Sequence, residues 1–224
     1  MLSDYQTLVT ELVRDDAARI VTAERDRAIQ MAVQRYSKDK ERLKVEDVVA
    51  TAANTLPLPA AWEAEASELR SLEYPVGNVP PDYLSGERYG LYQLPASTVI
   101  MLLDAVAAAA SIRVTYTITH VVSTTVDSIP VKDREPVACW ASALLCDQLA
   151  AFYSGGSDST IQADSSPGQS RAQEYSARAT KLRKRYLNEL GIEDKRNVAA
   201  GAVVNLNAAD SQGRDRLTHQ AQYR

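Results

Sequence analysis

The chain has 224 residues and a net charge of −4, with 45% apolar and 24% charged residues. This composition is typical of a soluble globular protein that is long enough for one sizeable core or two small ones. The acidic balance argues against a dedicated nucleic-acid binder, which is usually basic. No window approaches the roughly 18 apolar residues of a spanning helix. We therefore expect a protein made in the cytoplasm that has no membrane span.

Helical patterns dominate the first third of the chain. Apolar residues recurring at steps of three or four predict helices over about 4–13 and 22–36. The stretch RLKVEDVV at 42–49 carries a short β signal. The prolines of LPLP at 56–59 break the pattern, and a further helix is predicted over about 60–72.

The middle of the chain changes to a β pattern. Residues 74–95 are rich in Pro, Gly and Tyr, which favours turns and short strands. Strands are expected near 88–94 and 99–103, and IRVTYTIT at 112–119 alternates apolar and polar residues with a period of two. The sequence thus predicts a small antiparallel β insertion over about 82–119 in a mainly α, α+β protein.

Two amphipathic helices follow, over about 133–153 and 167–190. Each has one apolar stripe, and we expect the two to lie antiparallel with their stripes in contact. The predicted core at this contact consists of Trp140, Leu144, Tyr175 and Leu182.

The composition shifts again after Gly191. Residues 191–224 are polar, with scattered Val and Leu, so the segment cannot bury much apolar surface by itself. We interpret it as a C-terminal arm that needs a partner. Its candidate apolar anchors and ion-pairing groups are Val198, Val203, Val204, Leu206, Arg214, Arg216 and Leu217.

The sequence offers little for catalysis or for binding a metal or cofactor. Cys139 and Cys146 lie about 10.5 Å apart along one predicted helix, too far for a disulfide, so we expect two buried thiols. His120 ends the best strand and is expected to be solvated, and neither it nor His219 neighbours a cysteine at zinc-ligand spacing. No phosphate-binding glycine motif is present. We therefore expect no enzyme and no cofactor.

A basic run near the end of the last predicted helix has two interpretations. Lys181, Arg183, Lys184 and Arg185 could face DNA or an acidic partner. The interpretation we favour is a solvated helix face that interacts favourably with the helix dipole.

The order of several segments resembles that of the head–tail adaptor (connector) proteins of long-tailed bacteriophages. The segments are RYSKDK, LPLPAAW, LEYPVGNVPPDYL, TYTITH, ACWASALLCDQLAAFY, the loop SGGSDSTIQADSS, and EYSARATKLRKRYLNELG. The resemblance covers roughly residues 5–190, and no single segment is diagnostic.

The resemblance implies a structural protein of the virion neck. It implies a helical bundle with a β insertion that assembles with copies of itself as a ring, usually of twelve subunits. The ring would lie beneath the portal protein, which the C-terminal arm contacts, and above a stopper or tail protein. Genomic double-stranded DNA would pass through the lumen without specific binding. Two alternatives stay open: another neck component, such as a stopper or tail-completion protein, or a DNA-packaging protein that uses the basic run.

Overall fold

The computed structural model describes residues 1–15, 18–95, 97–107, 109–155 and 171–192. The chain divides into two units, Met1–Ile192 and Glu193–Arg224, and the second lies outside the described residues. In the first unit the described residues form four helices and two small antiparallel sheets. The expected α+β, mainly α class is confirmed.

The helices are α1 (Leu2–Val13), α2 (Thr22–Asp39), α3 (Arg134–Ser154) and α4 (Arg171–Leu190). They begin and end close to the predicted positions; the predicted start of the last helix, at 167, lies outside the described residues.

Helix α3 lies at the centre of the helical core and contacts α1, α2 and α4. It is buried around most of its circumference, and many of the buried side chains are small, which lets its neighbours approach closely: Ala138, Cys139, Ala141, Ser142, Ala143 and Cys146.

By length and composition alone, Val131–Ser154 is apolar enough to cross a membrane, contrary to the expectation from the sequence. Half of that stretch is buried inside the protein, however. A central core helix has the same composition, because it must be apolar on more than one side. The location of α3 between three other helices accounts for its apolar character.

The strands are β1 (Arg42–Val49), β2 (Thr55–Pro57), β3 (Leu69–Glu73), β4 (Tyr89–Gln93), β5 (Thr98–Leu102) and β6 (Ser111–Ile118). Sheet A has the order β1-β6-β3 and sheet B has the order β2-β5-β4, with antiparallel pairing throughout. A second core, separate from the helical one, lies under these sheets and includes Leu56, Leu72, Ile100, Ile112, Val114 and Tyr116.

Two predictions about this region are wrong. The β region begins at Arg42 and contains two sheets, so it is larger than the predicted insertion over 82–119. The helix predicted over 60–72 is absent; residues 60–66 form turns, and β3 follows.

Contacts with β6 explain why this helix does not form. The Glu68 N–H donates to Thr117 Oγ1 at 2.8 Å, and the Thr117 N–H donates to the Glu68 carbonyl at 3.0 Å. Glu65 has a positive φ of 68°, which a helix cannot contain. The Trp62 ring lies 5.7 Å from the ring of Tyr116. Tertiary pairing outweighs the helical pattern of the segment here.

The β region leaves and rejoins the helical unit at neighbouring points. The His120 N–H donates to Ser37 Oγ at 2.9 Å, and the His120 ring contacts that of Tyr36 edge-on at 4.8 Å. Ser37 belongs to the last turn of α2, and His120 lies two residues after the end of β6. His120 is therefore buried, and the expectation of a solvated histidine is wrong, because packing against α2 covers its ring.

Candidate interaction surfaces

Helices α3 and α4 are joined by ion pairs that use part of the predicted basic run. The Arg183 guanidinium pairs with Asp147, and that of Arg185 pairs with Glu135, both acids being on α3. Arg185 also pairs with Glu189 at 2.7 Å. Two of the four predicted cations are therefore engaged within the unit, while Lys181 and Lys184 are exposed. Such an arrangement favours the helix-surface interpretation of the run over a DNA-binding one.

The four predicted core residues all lie at or near the contact between α3 and α4. Leu182 is buried, whereas Trp140, Leu144 and Tyr175 are partly buried and pack against the helical core. The aromatic partner of Trp140 is Tyr186, with ring centroids 4.9 Å apart.

Tyr175 instead stacks on Tyr153 of α3 at 5.7 Å. Two aromatic contacts thus lie at separate levels of the helix pair. Trp140 also lies within cation–π distance of Arg35 on α2, at 5.1 Å, so its indole connects three helices.

The two thiols are structural. Cys139 and Cys146 are free and buried, as predicted. Burial raises the pKa of each to about 11. Since the thiolate is the reactive form, neither cysteine is poised as a nucleophile.

Groups of Ser128 hold the ring of His120 in place. Its Nδ1 lies 3.2 Å from both the carbonyl oxygen and Oγ of Ser128, and burial lowers its pKa. A neutral, buried histidine in hydrogen-bonding distance of a backbone carbonyl is typical of a structural role.

A polar cleft of about 530 Å³ lies between α2 and sheet A. Its carboxylates are those of Glu41, Glu65 and Glu68, and Arg70 pairs with Glu41 and, at 3.0 Å, with Glu68. In the part of the chain that the structure describes, no three His, Cys, Asp or Glu side chains converge as metal ligands. Among the residues that line the cleft, the three carboxylates outnumber the cations Lys38 and Arg70, and no nucleophile is paired with a base.

The outer face of sheet A presents an apolar row along its edge strand. Leu43, Val45 and Val49 of β1 are all more than half exposed. Between them Asp47 pairs with Arg113 of β6 at 2.8 Å, and this hydrogen bond lowers the pKa of Asp47. Arg113 also reaches the buried Glu73 of β3 at 3.4 Å, so one guanidinium links carboxylates of the two strands that flank β6.

A second exposed apolar region lies on sheet B. Tyr92 of β4 and Met101 of β5 lie on one face and are each between two fifths and one half exposed, and Leu103 beyond β5 is more so; Leu91 is about half exposed on the opposite face. Such clusters of exposed apolar side chains are typical of protein interfaces. The alternation of apolar and polar residues within RLKVEDVV indicates that one face of β1 carries the apolar row. It does not indicate which face is exposed to solvent.

The predicted arm residues cannot be placed. Val198, Val203, Val204, Leu206, Arg214, Arg216 and Leu217 lie outside the described residues, as do positions 156–170 of the polar loop before α4.

Comparisons with known proteins give matches among solved structures. No protein-family model and no curated protein matches the chain. Among solved structures, a similar chain comes from the neck of a native GTA particle computed with C12 symmetry. It is 12% identical, with 76% of this chain and 89% of that chain covered and a TM-score of 0.26. A structural neighbour is therefore a particle neck, but a superposition this loose carries no argument about fold or function.

Proposed function

We propose that this chain is a structural virion protein, a head–tail adaptor that forms a ring between the portal and the stopper or tail. The observation that carries the proposal is the order of the adaptor-like segments over residues 5–190, here distributed over a helical unit with a β region between α2 and α3. In this proposal the ring, of about twelve subunits by the resemblance, forms part of the DNA conduit in the virion neck. The protein is made in the host cytoplasm.

The electrostatics support a conduit component better than a DNA-gripping protein. The chain has a net charge of −4, and two arginines of its basic run are already paired with acids. DNA affinity depends on cations that are free to displace counterions from phosphates. An adaptor must let DNA slide during packaging and ejection, so weak binding is suited to its role.

Exposed apolar rows on both sheets support a protein that functions through contacts with other subunits. We therefore regard it as non-enzymatic. The alternative of a different neck component, a stopper or a tail-completion protein, shares these features and differs only in which neighbours it contacts.

Particle assembly provides the main test. In the phage that encodes this chain, a nonsense mutation in its gene should yield filled heads and complete tails that are not joined. An epitope-tagged copy should rescue joining and appear at the neck by electron microscopy. Normal particles without the chain, or a tag located in the capsid or tail tube, would overturn the proposal.

The DNA-packaging alternative has its own test. A double Lys181→Ala/Lys184→Ala variant removes the exposed cations of the run and leaves both ion pairs of α4 with α3 in place. If the chain is an adaptor, the wild type and the variant will show the same weak DNA shift in a salt series. A strong wild-type shift that weakens steeply with salt and is lost in the variant would favour packaging.

A further inference from the structure

Each of the two sheets ends in a strand without a further partner. Within the described residues, β1 is the outer strand of sheet A and β4 is an outer strand of sheet B. The opposite edge of sheet A is partly covered, because the Leu84 N–H donates to the Leu72 carbonyl at 2.9 Å and the Tyr74 N–H donates to the Asp82 carbonyl at 3.0 Å. An unpaired outer strand presents a row of main-chain donors and acceptors that can pair with another chain.

Both strands also border exposed apolar side chains. On β1 the exposed row includes Val45, which is 53% exposed, and on β4 it includes Tyr92, which is 47% exposed. The residues of β6 that point to the opposite side from Val45 are buried in the core. Val45 therefore lies on the side of its sheet away from the core. Tyr92 pairs with Val99, whereas its neighbour Leu91 pairs with the buried Ile100, so Tyr92 also lies on the outer side.

We propose that β1 of one copy pairs with β4 of the next, joining sheet A of one subunit to sheet B of its neighbour. The composite sheet would place the apolar row of β1 beside Tyr92 and Met101 of the neighbouring copy, on one continuous outer face. The strand YGLYQ carries no charge, so it can lie along Lys44 and Glu46 of β1 without repulsion.

A second copy fits this surface because the two free edges differ and belong to the same chain. Pairing of unlike surfaces is heterologous, and repetition of a heterologous contact produces a ring when the rotation closes. This inference rests on the proposed function, because it names the subunit contact of the proposed ring.

Cysteine cross-linking tests the contact in the full-length chain. Val45→Cys and Tyr92→Cys are prepared as separate variants, mixed, and treated with a short bismaleimide. The native Cys139 and Cys146 are buried, with pKa values raised to about 11, so they should not react. The control pair is Val131→Cys with Tyr92→Cys, because Val131 is 75% exposed and lies outside both sheets.

The expected result is a heterodimer yield roughly tenfold above the control, which corresponds to an encounter favoured by about 1.4 kcal/mol. A Val45→Cys/Tyr92→Cys double variant should give a ladder of higher multimers. Val45→Lys introduces a charge at the edge that opposes strand addition. When Val45→Lys is combined with Leu43→Cys and mixed with Tyr92→Cys, the heterodimer yield should fall from that of Leu43→Cys alone to the control level, while the melting temperature stays unchanged. A heterodimer yield at the control level for Val45→Cys with Tyr92→Cys would overturn the pairing. So would a homodimer yield from Val45→Cys alone that equals the heterodimer yield.

The same variants in particles separate this inference from the adaptor proposal. If the chain forms a neck ring but Val45→Cys and Tyr92→Cys do not cross-link in it, the strand contact is wrong and the adaptor proposal stands. If they cross-link in solution but the chain is absent from particles, the contact stands and the adaptor proposal is wrong.

Discussion

The hydroxyl of Tyr186 on α4 donates a hydrogen bond to Asp39 Oδ2 at the end of α2, with a donor–acceptor distance of 2.7 Å. Tyr186 is fully buried, and Asp39 also accepts from Arg35 Nε at 2.7 Å. The hydrogen bond therefore fixes the last helix against the second at the point where the chain leaves for the β region. Burial, reinforced by the Asp39 carboxylate, raises the pKa of the Tyr186 hydroxyl well above its usual range.

Tyr186→Phe should lower the free energy of unfolding by about 1–2 kcal/mol, because a buried hydrogen bond to a charged acceptor is lost while Asp39 keeps its arginine. Urea unfolding followed by circular dichroism measures the change. Tyr83→Phe is the matched control, since Tyr83 is largely exposed, and it should have little effect. Equal stability of the two variants would show that the Tyr186 hydrogen bond contributes nothing.

Trp140→Ala should also destabilise the helical unit. Complete burial of a tryptophan would predict a loss of about 3–5 kcal/mol, and the partial exposure of Trp140 reduces our expectation to about 2–3 kcal/mol. Trp140→Phe, which keeps a ring against Tyr186, should lose clearly less in the same denaturation experiment. A Trp140→Ala variant as stable as the wild type would place the indole outside the stabilising core.

Acid should weaken the contact between the β region and α2 through His120. Burial lowers the pKa of His120 below its ordinary value of 6.5, so the folded protein holds the neutral ring. Above pH 6.5 the ring is neutral in both states and the contribution to stability is fully present. As the pH falls below 6.5, the unfolded chain binds a proton before the folded one does, and stability is lost until the folded pKa is reached.

His120→Gln should therefore flatten the dependence of the melting temperature on pH between about pH 7 and pH 5. The other histidine provides the control, because His219→Gln should leave the slope of the wild type unchanged. A wild-type slope that survives in His120→Gln would assign the pH dependence to other groups.

Removing the residues after Gly191 tests the arm. The four described helices and both sheets end before this point, so the truncated chain should fold and melt like the full-length protein. If the arm contacts the portal, however, truncated protein will fail to join tails to heads in a complementation assay. Normal joining by the truncated chain would overturn the role of the arm and leave the adaptor proposal intact.

The sequence predicts local elements of this protein better than their partners. Helices α1 and α2 and strand β6 follow from spacing, because each has its own apolar period. The pairing of β1 with β6 joins residues such as Val45 and Thr115, which are far apart in the chain, and no local signal encodes that choice.

The false helix over 60–72 and the buried His120 have the same origin. Each depends on a contact with a distant element, Thr117 for the former and Ser37 for the latter. The exposed rows on β1 and β4 were also beyond sequence reasoning, because alternation identifies two faces without saying which one remains uncovered.

The short distance between Ser37 and His120 has a consequence for how such a protein can diversify. The chain enters the β region after α2 and leaves it after β6 at two neighbouring points, and the helices have a hydrophobic core of their own. Evolution can therefore reshape or exchange the sheets, and with them the surfaces offered to neighbours, without redesigning the helical frame. Replacing residues 42–118 with a short linker should likewise leave a helical miniprotein that folds independently.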